Sequence, residues 1–325
     1  MRLENVHQLQ KLIPLRDIAQ HEPVLLTARI DVKDGERISP SGAPYRRVVL
    51  FDSSGNVPAF AISRDWDGHN LCTLELRCVS LQIITSLRGR RIVVIYPEYG
   101  EPLPQRDPFD LLPMHLAVEP DHLARLVRLV EEFSTPSYRA FAAQVFEDPG
   151  FVIRFVTRAA SRNCHHAYPG GLLAHSLELA EAVMAAGSAL QLPAVQVEAG
   201  ALLALFHDVG KILLNEPGSG VQLPVAGHEE LIEHVLLEPL VSLRKADPDA
   251  YHAFWVLLVA YRNRDTYPAP MAGLVRGLDG CSAQADALRR TMHAGTRGQR
   301  HRLCGGREVW VLPPSRRTAP RLARP

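Results

Sequence analysis

The feature that most constrains this chain is a change of hydrophobic period across a proline-rich break. Before Pro97 the apolar residues come in short β-branched runs, and from Asp121 onward they recur at helical spacing, with Leu123, Leu126, Leu129 and Val130 on one face. Between the two, the stretch from Pro97 to Pro113 carries five prolines and the acids Asp107 and Asp110, a composition that interrupts strand ladders and helix interiors alike. A chain of 325 residues can hold two domains, each with its own core, and the break is where they should meet. The expected fold class is α+β with the two kinds of structure segregated. A small β-barrel is expected over 1–96, a linker over 97–118, an all-α domain over 119–295 and a basic tail over 296–325.

Five runs read as strands: Val24 to Ile30, Tyr45 to Phe51, Asn56 to Ile62, Leu74 to Ile84 and Arg91 to Tyr96. Asp52 to Asn56 is a hairpin signal, and the region around Gly35 and from Ser39 to Pro44 is a longer loop after the first strand. Five short strands in that pattern fit the OB-fold, a small barrel that commonly binds single-stranded nucleic acid. On such a barrel Phe51, Phe60 and Trp66 offer platforms for bases. Arg88, Arg90 and Arg91, with Arg46 and Arg47, offer charge to a phosphate backbone. The same aromatics could instead fill the barrel core while the arginines solvate it.

Composition narrows the class further. The chain is 46% hydrophobic and 22% charged with a net charge of +1, and no apolar run reaches the ~18 residues of a membrane span. Nothing near Met1 resembles a secretory signal, so a soluble protein in the cytoplasm with no membrane association is expected. Cys72, Cys78, Cys164, Cys281 and Cys304 are widely spread without the spacing of a zinc knuckle, and read as reduced thiols. The balanced charge hides a basic end: Thr291 to Pro325 holds eight arginines against the single acid Glu308. That composition predicts a solvated tail, with Val309 to Leu312 as a small packed segment.

The chemistry is concentrated in the helical part. The run Ala201 to Phe206 is wholly apolar and ends in His207-Asp208, followed by Val209-Gly210-Lys211; Gly210 reads as the residue that stops the helix. A buried carboxylate needs a partner, and a divalent cation bound by imidazole nitrogen and carboxylate oxygen is one. Upstream, His165-His166-Ala167-Tyr168-Pro169-Gly170-Gly171 leads into a helix carrying His175. Downstream, Asp279 is set in the apolar helical run from Leu274. The segment from His228 to His234 is not a zinc-protease motif, since that motif needs histidines four apart and Ile232 occupies the required position. His228 remains a candidate ligand, and His234 is read as structural.

A His, a His-Asp pair and a distant Asp on separate helices resemble the ligand set of the HD superfamily of metal-dependent phosphohydrolases, which makes the expected second domain an all-α HD-domain. With the N-terminal barrel, the run from His165 to His175, His207 to Lys211 and Gly227-His228 looks like the YhaM-type 3′-to-5′ exoribonucleases. The same core also resembles the TraI-type, MobH-class conjugative relaxases. The resemblance implies that His175, His207, Asp208 and Asp279 bind a divalent metal, with His228 on a second ion. The chain departs from the exoribonuclease pattern in one place: Leu258 to Arg264, where a further His-His pair belongs, contains no histidine. One ion and two ions both remain open, as do Mn, Mg, Fe and Zn.

The function expected is a metal-dependent phosphodiesterase or nuclease acting on single-stranded RNA or DNA, with Asp208 and Lys211 as its catalytic residues. Asp208 would orient the attacking water, Lys211 would reach a phosphate oxygen, and His165 and His166 are possible substrate contacts. Arg264 and Arg276 are further cations near the last ligand. Two other readings stand beside it: a relaxase-like protein of conjugative DNA processing, and a non-catalytic nucleic-acid-binding protein with a degenerate metal site.

Overall fold

A computed structural model describes residues 24–53, 55–66, 74–85, 89–97, 107–161, 165–214, 227–264, 269–293, 301–304 and 307–310. The N-terminal strands are β1 (Val24–Val32), the two-residue β2 (Arg37–Ile38), β3 (Pro44–Asp52), β4 (Gly55–Ile62), β5 (Glu75–Thr85) and β6 (Arg91–Pro97). They pair in the order β1-β5-β6-β4-β3-β2, and β1 also pairs with β3, which closes five of them into a barrel. The β4–β6 pairing is parallel, and the others are antiparallel. The reason is legible in the period of two. Ala28 and Ile30, Val48 and Leu50, Ala59 and Ala61, Val79, Leu81 and Ile83, and Val93 and Ile95 all point into one core.

Two of the proposed base platforms are corrected by this packing. Phe51 follows Leu50 on β3 and points out of the barrel, yet it is 1% exposed because its ring lies against His115, with centroids 4.7 Å apart. Trp66 ends a short 3-10 turn (Ser63–Trp66) and is built into the barrel core. Neither ring is open to a base. Phe60 is outward and partly exposed, and it meets Tyr45 edge-on at 5.6 Å beside the exposed Arg47. Arg90 and Arg91 are exposed at the start of β6, and Arg88 lies outside the described residues.

The connection to the helices is packed. Turns at Pro108–Leu111 and Met114–Leu116 bury Leu111 and Leu112, and Ser53 donates its backbone N–H to the Asp110 carbonyl at 2.8 Å. Arg29 reaches out of β1 and donates to the carbonyl of Glu147 at 3.0 Å. The barrel is therefore fastened to the helical part by backbone-directed bonds and by the Phe51–His115 contact.

The helices are α1 (Pro120–Glu131), α2 (Pro136–Glu147), α3 (Pro149–Thr157), α4 (Gly171–Ala189), α5 (Ala194–Phe206), α6 (Lys211–Leu214), α7 (Ile232–Val235), α8 (Leu237–Ala246), α9 (Pro248–Arg262) and α10 (Pro270–His293). Proline begins α1, α2, α3 and α9, where its missing N–H costs nothing, and Asp148 and Asp247 cap α3 and α9 by accepting from Gly150 N and Ala250 N. Every residue of α5 from Val197 to Phe206 is buried, which makes it the central helix, with α4, α9 and α10 packed around it. Gly187 and Gly200 permit that closeness: a Cβ on either would come within 3.0 Å of Val197 or Met271. No helix among the described residues is long and apolar enough to cross a membrane.

Glu198 is the one acid in this buried run. Its carboxylate accepts from Ser134 N and Oγ at 2.6 Å and from Thr135 N at 3.0 Å, tying α5 to the α1–α2 turn. Burial acts to raise its pKa, but those bonds outweigh burial and hold it below its ordinary 4.5. Glu198→Gln is expected to cost about 2 kcal/mol at neutral pH by chemical denaturation. A folded pKa below the unfolded one means that the parent's advantage is complete above pH 4.5 and shrinks as pH falls through the folded value. An advantage that grew on acidification would contradict this assignment.

The arginine-rich end differs from expectation. His301–Cys304 (β7) and Arg307–Trp310 (β8) pair as an antiparallel hairpin, beginning well before the small packed segment expected at Val309. The signal was a Gly305-Gly306 pair between two short runs, obscured by an arginine content that reads as solvated tail.

Candidate metal centre

Three helices bring the ligand candidates together. His175 lies in the second turn of α4, His207 is the C-cap of α5 with Asp208 next to it, and Asp279 lies within α10. His175 Nε2 is 3.1 Å from Asp279 Oδ1 and 3.8 Å from Asp208 Oδ2. His207 Nε2 is 3.4 Å from Asp208 Oδ2 and 3.9 Å from Asp279 Oδ1. Residues more than a hundred positions apart thus present two imidazole nitrogens and two carboxylates to one small volume.

Each histidine has one ring nitrogen engaged from behind and the other turned toward the carboxylates. His207 Nδ1 lies 2.7 Å from the Ala204 carbonyl, which can only accept, so Nδ1 carries the proton and Nε2 the lone pair. His175 Nδ1 lies 3.2 Å from Ser282 Oγ. The Nε2 atoms of both rings are buried and lack an aligned hydrogen-bond partner, an arrangement that leaves a desolvation cost unless a further group completes it. The donor set fits a divalent cation on this observation: orphaned imidazole nitrogens face carboxylates, with each ring oriented from behind.

The electrostatics agree. Burial pushes His207 below its ordinary pKa. Burial alone would raise the Asp208 carboxyl, but His207, His228 and Lys211 outweigh it and hold Asp208 far below the usual carboxylate range. For Asp279 burial is likewise outweighed, by His175 and His207. Both acids are therefore ionised.

Around this centre the other predicted residues take distinct places. Lys211 Nζ pairs with Asp208 Oδ2 and is the more open of the two, 17% exposed against 3%. His228 Nε2 is 3.2 Å from Asp208 Oδ1, on the side away from His175. Its approach explains Gly210, which does not act as the helix stop read from sequence. A second short helix, α6, follows directly, and a Cβ on Gly210 would stand 1.9 Å from the His228 carbonyl oxygen. No histidine from α9 joins the centre. Tyr261 stands there, its ring 6.0 Å from that of His207. Arg276 donates to the Tyr261 carbonyl and lies 5.3 Å over its ring, which occupies it structurally.

His165 and His166 part company. His166 is buried behind His175, with Nδ1 2.9 Å from Tyr168 OH, Nε2 3.3 Å from Ser282 Oγ and its backbone N–H donated to Asp286 Oδ2 at 2.9 Å. Burial, with the neighbouring His175, lowers it to about 4, so it is neutral at pH 7. His165 is half-buried with its ring 5.2 Å from that of His175, and it forms a second metal-competent group with His175 and Asp279. Ser282 and Asp286 were missed by sequence reading. They sit three and seven residues after Asp279 on one face of α10, and that spacing was the available signal.

His234, read as structural, lines a cavity of about 580 Å³ between α3 and the α7–α8 segment, together with Arg154, Ile212 and Leu237; none of the ligand candidates lines it. No family model matches the chain, and no curated protein or solved structure matches it. The fold and site define a class by themselves: a closed five-stranded barrel fastened to a helical domain whose centre gathers histidines and aspartates able to hold a metal.

Proposed function

We propose that this class is an HD-type metal-dependent phosphohydrolase, and that the particular activity is cleavage of phosphodiester bonds in single-stranded RNA or DNA held by an OB-like barrel. The observation that carries the reading is the pair of buried, unpartnered Nε2 atoms of His175 and His207, facing Asp208 and Asp279. A divalent cation held by His175, His207, Asp208 and Asp279 would supply Lewis acidity toward a phosphoryl oxygen and a water.

The chain's own groups divide the remaining work. Asp208 has its Oδ2 toward His175 and His207 and its Oδ1 toward the partly exposed His228, so it can orient a water between them. Lys211 places a positive charge beside Asp208 Oδ2, where it would stabilise the charge that builds on non-bridging oxygens. The barrel supports a nucleic-acid substrate through the outward Tyr45–Phe60 pair beside Arg47, with Arg90 and Arg91 exposed at the start of β6. Lys211→Met is expected to lower kcat/KM about 100-fold with metal affinity retained. Equal losses of metal and activity would move Lys211 from substrate to ligand support.

End-labelled single-stranded RNA and DNA, incubated with the full chain and Mn, Mg, Fe or Zn ions, test the reading. Metal-dependent shortening from the 3′ end that stops with chelator is expected. Strands left intact with every ion would overturn it. Tyr261 in place of the second histidine pair favours one alternative, a binding protein without turnover, whose signature is retention of labelled strands uncut.

A further inference from the structure

The structure assigns to His165 the role of a fifth ligand to one cation, held together with His175, His207, Asp208 and Asp279, so that the centre is mononuclear and suited to a six-coordinate ion such as Mn(II) or Fe(II). The inference rests on the proposed metal-dependent site and adds to it a ligand, a stoichiometry and a class of metal.

Two groups of side chains are close enough to hold an ion: His175, His207 and Asp208, and His165, His175 and Asp279. Both contain His175. Its Nδ1 is engaged by Ser282 Oγ, so only Nε2 remains to bind, and one lone pair serves one cation. The groups are therefore two halves of one coordination sphere. The 3.9 Å between Asp279 Oδ1 and His207 Nε2 joins them directly. Three nitrogens and two oxygens exceed the four donors of a closed zinc site and leave one position open on a six-coordinate ion.

The placement of His165 is built into the chain. His166 has a φ of +47°, a left-handed conformation that costs a non-glycine residue free energy unless its surroundings enforce it. They do so here. The His166 N–H is donated to Asp286, its carbonyl accepts from Ala160 N at 3.1 Å, and the His165 carbonyl accepts from Ser161 Oγ at 2.7 Å. The His166 carbonyl also occupies the space over Gly171, where a Cβ would stand 2.1 Å from its oxygen. This turn sends His166 behind His175, where both its ring nitrogens are engaged, and sets His165 beside the His175 ring and within ligand reach of Asp279. A substrate contact alone would not need the ring packed within ligand distance of a carboxylate and an imidazole.

Chelator-stripped full-length protein and its His165→Ala and His165→Gln variants are titrated with Mn(II), and the visible spectrum of the parent loaded with Co(II) is recorded. Expected are one Mn(II) per parent chain, an affinity at least about 10-fold lower in both variants, and the weak Co(II) bands of a six-coordinate ion. The Co(II) spectrum needs no variant and stands if the substitutions prevent folding. Parent-like Mn(II) affinity in a folded variant would overturn the inference and return His165 to the substrate. Two ions per chain, or the intense Co(II) bands of a four-coordinate site, would overturn it as well. A parent that binds no ion would defeat the underlying metal-site reading, and with it this inference.

Discussion

Asp208→Ala is expected to lower phosphodiester cleavage at least ~1000-fold while the far-ultraviolet circular dichroism stays that of the parent. The Asp208 carboxylate meets four side chains of the centre: Oδ2 faces His175, His207 and Lys211, and Oδ1 faces His228. Removing it deletes a proposed ligand and the proposed water-orienting group in one substitution. Helical structure is retained because Asp208 lies beyond the end of α5, after the backbone bonds of that helix are made. Asp208→Asn separates charge from shape. It keeps an oxygen toward the histidines but no longer balances Lys211, and metal affinity should fall in it as well. Parent-like turnover by Asp208→Ala would remove the proposed mechanism.

The second large effect is steric. Gly210→Ala places a methyl group 1.9 Å from the His228 carbonyl oxygen, 2.8 Å from its carbon and 3.0 Å from Leu231 Cβ. Backbone atoms cannot rotate away as a flexible side chain can, so the segment carrying His228 must shift or the turn after Asp208 must open. The expected cost is about 3 kcal/mol, a fall of roughly 10 °C in Tm for a domain of this size, with cleavage impaired even where the fold survives. Calorimetry of the purified variant reads it directly. A Tm within about 1 °C of the parent would mean that the close approach of His228 to Gly210 does not exist in solution.

The two positions also mark how far the sequence alone could be read. Strand limits followed from short β-branched runs bounded by turn residues, and the observed β1, β3, β4, β5 and β6 lie within a residue or two of the runs predicted for them. The helical part followed from apolar positions recurring at helical spacing from Asp121 onward. His175 and Asp279 were legible as polar residues set in helical runs, and His207 and Asp208 as the polar end of a wholly apolar one, where a polar residue needs a partner. What the sequence did not reveal were properties of tertiary packing. Phe51 obeys the alternation and points outward, and only the arrival of His115 buries it. Gly210 looks like a helix stop in one dimension and serves in three as clearance for His228. Ser282 and Asp286 are ordinary polar residues on a helix until the buried back of His175 and His166 requires partners there.

The mutational logic separates ligands from their supports. Ser282→Ala leaves every proposed ligand in place but frees the His175 ring. About a 10-fold loss of metal affinity is expected, smaller than for any ligand substitution. An affinity equal to that of the parent would mean that packing alone orients His175.

The most direct test is the metal content of the folded protein under equilibrium. Isothermal titration of Mn(II) into chelator-stripped full-length protein, repeated with His175→Ala and His207→Ala, should give saturable binding in the parent and none in either variant. Saturable binding that survives both substitutions, or no binding in the parent, would contradict the claim that these buried nitrogens exist to hold a cation.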